Sequence, residues 1–418
     1  LVTGCLKSPL RVYIADPNPV MKMSLRSVVS CAGLLVALLG FSACGGGDEG
    51  STKPPAKVPS SSAKVPNGPA KAPAGAKTPA KTAPSGGSGG VDRAAMVALF
   101  KEWPKAPDAG NRTSKARVAL GNKLYHDKTL SAGGDISCAS CHAVDTYGQD
   151  NKKTSPGTRG AAGERNTPTS LNAFRQFAQF WDGRAATVEQ QATMPILTPN
   201  EHGIQDEAEL IAAVKKNAEY EPMFKKAFKR DADNPITIKN IQMAIGAFER
   251  KLITVAPFDQ WLDGDDSALS ADQKKGMAEF VSVGCATCHM GRGLGGSDFK
   301  KLGDKVPFET EDIGRAKITK NDSDKFMFKV PMLLNIDKTA PYYHDGSIAT
   351  LEEVVTDMAK YQLAKELTDA QVQSVLSAEM PIAKRTALAK LCQTVGDFPT
   401  FDKRSQPGQA AFAPLGGC

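Results

Sequence analysis

Five histidines and three tryptophans are all that 418 residues contain. The histidines are His126, His142, His202, His289 and His344, so any chemistry that needs imidazole has few places to occur. Net positive charge is also missing where a nucleic-acid binder would need it. The formal charge of +7 is matched by residues 1–90 alone, where ten lysines and arginines face Asp16, Asp48 and Glu49. Residues 91–418 are therefore formally neutral, and a nucleic-acid role has no support. Strand signals are sparse, and residues 45–90 hold no aromatic residue. A segment of glycine, serine, proline, alanine and lysine cannot bury enough apolar surface to offset its ordering entropy, so residues 44–90 read as a disordered tether.

The one long apolar run is "VVSCAGLLVALLGFSA", preceded by Met21 or Met23 with Lys22 and Arg26. It has the length of a signal-peptide core and is short for a spanning helix. Small residues before Cys44 resemble a lipoprotein cleavage box. On that reading residues 1–20 are a start-site overcall, residues 21–43 are removed, and acyl chains on Cys44 hold the protein on a membrane. Ordinary signal-peptidase cleavage with Cys44 incidental is the alternative. Either way the chain is expected to be exported, to the bacterial periplasm.

Four of the nine cysteines fall in two CxxCH pentads, Cys138-Ala-Ser-Cys141-His142 and Cys285-Ala-Thr-Cys288-His289. The spacing lets two thiols add to the vinyl groups of one haem while the adjacent histidine reaches the iron. A disulfide redox pair or half a zinc site would use the same residues. In so cysteine- and histidine-poor a chain, two chance pentads are expected on the order of once per million such chains. Two covalent c-type haems follow. "SKARVALGNKLYHDKTLSAGGDISCASCH" and "LSADQKKGMAEFVSVGCATCH" form a weak internal repeat. Each has a serine N-cap, Ser114 or Ser270, and a glycine inside the helix, Gly121 or Gly276, which suggests close helix packing. The expected fold is mainly α: two cytochrome-c-like haem domains, 91–256 and 257–405, with long irregular loops around the haems, and a tail at 406–418.

"RNTPTSLNAFRQFAQFWDGRAATVEQQATMPI" and "FKVPMLLNIDKTAPYYHDGSIATLEEVVTDMAKYQLA" resemble the two signature blocks of bacterial di-haem cytochrome c peroxidases, and "CHMGRGLGGSDFKKLG" fits after the second pentad. The resemblance covers roughly residues 93–400. It implies a peroxide-reactive N-terminal haem held by His142, and a C-terminal haem that accepts electrons, held by His289 and Met358. Thioether ligation favours reduced iron; from the residues alone Met358 would be read as core. The same resemblance makes Trp181 the relay between haems, Glu201 the acid/base above the open iron, and Gln191 the group that orients peroxide. It assigns Asn166, Thr339 and Pro341 to a calcium ion, and places His344 near the second haem as a hydrogen-bonding partner. His202 stands where the family often has methionine. It could tune Glu201, visit the iron or face solvent, and solvent is expected.

No histidine lies between residues 143 and 201, where many family members keep a resting ligand for the first haem. Haem one is therefore expected to be five-coordinate or water-bound at rest. Three functions fit: reduction of hydrogen peroxide with electrons from a small c-type cytochrome or copper protein, oxidation of a partner protein's side chain as in the related methylamine dehydrogenase maturation enzymes, or a membrane-tethered electron carrier. Those maturation enzymes have tyrosine at the Met358 position, which favours the peroxidase. A homodimer is common in the family.

Overall fold

Asp92 starts the first helix, its carboxylate accepting hydrogen bonds from the Ala94 and Ala95 amides and satisfying donors that a helix N-terminus leaves unpaired. The computed structural model describes residues 92–383 and 386–387, with side chains through residue 377. The leader, Cys44, the tether, Cys392 and the 406–418 tail lie outside the described residues. Twelve helices follow among those described: α1 (Arg93–Phe100), α2 (Lys115–Tyr125), α3 (Cys138–Cys141), α4 (Val188–Gln191), α5 (Glu207–Lys216), α6 (Tyr220–Ala227), α7 (Ile238–Glu249), α8 (Pro257–Leu262), α9 (Ala271–Val283), α10 (Ala316–Thr319), α11 (Leu351–Leu363) and α12 (Asp369–Ala383). Strand is confined to two antiparallel pairs. β1 (Thr254–Val255) pairs with β4 (Thr386–Ala387), and β2 (Phe299–Lys301) pairs with β3 (Met327–Lys329), Phe299 opposite Lys329. The chain is helix-rich with little strand, as its sparse strand signals predict.

Both serines cap as expected. Ser114 accepts from the Arg117 amide, and Ser270 forms a capping box with Gln273. Gly121 does what a mid-helix glycine suggests: a Cβ there would sit 1.9 Å from the Ala244 carbonyl oxygen. Helices α2 and α7 thus cross backbone to backbone, and that contact outweighs the helix propensity glycine forfeits.

Two main cores result. The first holds Leu120, Leu124 and Tyr125 of α2 against Ile241, Ala244, Ile245 and Phe248 of α7, with Phe224 of α6. The second packs Phe258 and Trp261 of α8, Met277 and Phe280 of α9, and Val372 and Val375 of α12. Helix α1 belongs with the second core, although it lies within the expected 91–256 segment. Met96 and Phe100, four apart on one face, are buried there, and Phe100 meets Phe258 edge-on at 5.8 Å. Past the helix, the Leu99 and Glu102 carbonyls accept from the Gly291 and Arg292 amides. The N-terminal stretch thus straps the loop just after the second pentad. A smaller cluster of Leu302, Phe328 and Tyr343 gathers Trp181 and Met358 around it. Among the described residues no helix is long and apolar enough to cross a membrane.

Candidate functional site

Each pentad opens onto its own cavity. The first sits on α3, a single helical turn that brings Cys138 and Cys141 to one side. The Tyr125 hydroxyl donates to the His142 carbonyl at 2.8 Å and so ties the pentad to the end of α2. The second follows Gly284, whose φ of +112° ends α9 and lets a 3₁₀ turn begin at Cys285. None of the four cysteines of the two pentads is in a disulfide. His142 Nδ1 lies 3.0 Å from the Gly148 carbonyl oxygen, and His289 Nδ1 lies 2.8 Å from that of Leu294. A carbonyl can only accept, so each ring carries its proton on Nδ1 and keeps the Nε2 lone pair for another partner. Burial pushes both histidines below the usual imidazole range, favouring the neutral form a ligand needs.

The first cavity, about 330 Å³, is lined by Cys138, Cys141, His142, Gln191 and Glu201; the second, about 240 Å³, by Cys285, Cys288, His289 and Met358. Trp181 and Asn166 line both. The indole is held from two directions. Its Nε1–H donates to the Asn166 carbonyl at 2.9 Å, and its own carbonyl accepts from the Lys329 amide at 2.8 Å. Beside it Asp182, 1% exposed, takes hydrogen bonds from Arg165 and Arg184.

Burial raises the Glu201 carboxyl above the ordinary range; Arg184 opposes the shift and Glu164 adds to it. Its backbone carbonyl accepts from the Thr158 amide, and Gly157 runs so close that a Cβ there would fall 2.0 Å from the Asn200 carbonyl oxygen. Gln191 ends α4, which Thr187 caps.

Asn166, Thr339 and Pro341 share one wall of the second cavity. The Asn166 amide group donates to the Lys152 and Lys153 carbonyls, and its backbone N–H to that of His344. Gln149 reaches across to the Lys338 and Ala340 carbonyls. The loop after the first pentad is therefore clamped to the Thr339–Gly346 turn. In that loop Asp150 Oδ2 is buried with no hydrogen-bond partner. Among the described residues no group of three His, Cys, Asp or Glu could hold a metal ion. His344 is 2% exposed, with Nε2 at 3.3 Å from the Thr310 hydroxyl and its ring 4.3 Å from that of Phe328.

His202 corrects the sequence reading. Expected in solvent, it is 5% exposed and lines the first cavity, its Nδ1 2.8 Å from the Leu130 carbonyl oxygen. The Ala132 amide donates to its carbonyl, which draws the "NEHG" turn inward. Two further residues were missed. Glu249 lines the first cavity with Oε2 unpartnered, and burial beside Glu189 pushes its carboxyl up to about 8. Its spacing from Ile241 and Ile245 on α7 puts it on the buried face, a signal the sequence did hold. Lys329 lines the second cavity and is 6% exposed; its neighbours Phe328 and Val330 were the only hint.

A family model described as di-haem cytochrome c peroxidase matches residues 115–267. "Cytochrome c551 peroxidase" of Nitrosomonas europaea is 42% identical over 262 residues, covering 62% of this chain and 77% of that protein. The chain belongs to the di-haem cytochrome c peroxidase family. "Cytochrome c peroxidase Ccp" of Escherichia coli K12 is 44% identical over 271 residues, 63% of this chain, and the match spans only 57% of that longer protein. Among solved structures, a MauG-like protein associated with microbial copper homeostasis superposes with a TM-score of 0.60 at 28% identity, covering 67% of this chain and 92% of that one. The family implies two c-type haems. The residues fit: each cavity offers two thiols outside any disulfide and a histidine whose burial favours the neutral form and whose Nδ1 is engaged by a backbone carbonyl.

Proposed function

We propose that this chain reduces hydrogen peroxide to two waters, taking up two electrons and two protons, with electrons from a small c-type cytochrome or copper protein. The observation that supports this is the division of labour between the cavities. Glu201 and Gln191 line only the first, Met358 lines only the second, and Trp181 lines both.

His142 with Cys138 and Cys141 would hold one haem, and His289 and Met358 with Cys285 and Cys288 the other. When bound, the haems supply the redox chemistry. The protein supplies the proton handling and the path. Splitting the O–O bond needs a proton moved from one peroxide oxygen to the other. A Glu201 carboxyl whose affinity for protons is raised by burial can take it on one oxygen and return it. The Gln191 amide can orient peroxide by donating a hydrogen bond. Trp181 offers a π-system in the shared wall, fixed at both its Nε1 and its carbonyl, where an electron would pass.

Asn166, Thr339 and Pro341 would contribute to a calcium site, with the unpartnered Asp150 oxygen beside their loop as a further oxygen donor. Residues 91–256 and 257–405 would be the two haem domains, in the periplasm, anchored through Cys44. Similarity to a MauG-like protein supports a second reading, oxidation of a partner protein's side chain. Met358 at the position where those enzymes have tyrosine disfavours it.

Peroxide consumption with a reduced small c-type cytochrome tests the proposal. Glu201→Gln should lower kcat about 10²–10⁴-fold, the usual contribution of general acid–base catalysis, with both haem spectra retained. Full activity in that variant would reject the assignment.

A further inference from the structure

The second cavity contains no aspartate or glutamate among its described lining residues, yet it buries a lysine. Among the described residues Lys329 Nζ bonds only the neutral side-chain oxygen of Gln176, and no carboxylate there pairs with it. Its neighbour on the wall, Lys300, is already matched by Asp298 at 2.8 Å. A second polar end is stranded there too: the Tyr343 hydroxyl is buried without a hydrogen-bond partner. Buried cations are normally paired, because desolvating one alone is costly. Here burial pushes the ammonium down to about 7. The first cavity is built differently, with Glu164, Asp182, Glu201 and Glu249 set against Arg165, Arg184 and Lys317.

A haem brings two propionate carboxylates. We infer that Lys329 is the counter-ion of a haem-two propionate, with the Tyr343 hydroxyl of the same cavity available as a further donor to the group, and that the lysine's charge helps make haem two the easier of the two haems to reduce. The inference rests on reading the second cavity as the haem-two site. A retained positive charge favours the added electron, and a propionate left bare would oppose it. Lys329 also donates its backbone N–H to the Trp181 carbonyl, so the strand that presents the ammonium positions the indole as well. Lys329 is therefore a positioning and potential-setting residue, and it needs no contact with peroxide.

Spectroelectrochemical titration of the holoprotein tests this, after mass measurement of the denatured chain has counted the haems bound. Lys329→Met should lower the haem-two midpoint by about 59 mV, a tenfold change in a one-electron equilibrium, and leave the haem-one midpoint in place. Lys329→Gln, a polar variant that spares the fold if Met does not, should give the same drop. Lys329→Arg should restore the wild-type value. An unmoved haem-two midpoint in a fully loaded neutral variant overturns the inference, as does an equal shift of both haems. A wild-type protein without haem on Cys285 and Cys288 would instead overturn the reading of the cavity beneath it.

Discussion

The ionisation of Glu249 couples to folding. Its carboxyl sits at about 8 in the folded chain against 4.5 for an ordinary glutamate. Between those values the folded state keeps a proton that the unfolded chain has released, so stability falls as pH rises through the window. The groups around it reinforce this: Glu189 raises its affinity for the proton and Arg250 only partly offsets that. Glu249→Gln should therefore gain stability at pH 8, on the order of 3–5 kcal/mol at most, and none at pH 4; chemical denaturation at the two pH values measures it. His202 sets a different test. Its ring is tethered to Leu130 and its backbone to Ala132 and Pro195, so it is poorly placed to swing onto an iron. The oxidised protein should show a high-spin haem one by electron paramagnetic resonance, unchanged in His202→Leu. A low-spin signal that turns high-spin in the variant would make His202 the missing ligand.

At the scale of elements, local signals were readable and long-range burial was not. The pentads, the Ser114 and Ser270 caps and the meaning of Gly121 depend on residues close in sequence or on a steric property of one residue. Which cavity Trp181 and Met358 reach was legible only through the signature blocks, since a tryptophan or methionine by itself reads as core. Lys329 and His202 were illegible because their burial is made by segments far away in the chain: Gln176 for one, Leu130 for the other. The α2–α7 crossing gives the sharpest test of an element. Gly121→Ala must push the Ala244 backbone or Phe248 away, an overpacking that typically costs about 1–3 kcal/mol. Thermal unfolding should show the loss, together with weakened anchoring of the first pentad, because Tyr125 ends the same helix.

At the scale of the described chain, the two cores are tied together by segments that leave one and finish the other. Phe100 is fully buried in the second core, and the Arg175 guanidinium stacks 3.7 Å from the centre of the Trp103 ring that follows α1. Phe100→Ala should cost about 3–5 kcal/mol, the range for a large aromatic removed from a packed core. The loss should appear in the haem-two spectrum before haem one, because residues 99–102 hold the loop at Gly291 and Arg292. A chain delivered N-terminus first presents α1 before anything it can pack against. Phe258 follows more than a hundred residues later, and Val375 more than a hundred after that. Until they arrive, Met96 and Phe100 are apolar side chains without their core partners, on a helix too short to persist alone, and so long-range a contact is expected to close late in folding. The strap from Leu99 and Glu102 to Gly291 and Arg292 therefore cannot close until the second pentad has itself been made, so covering that loop is an event in time as well as a feature of shape.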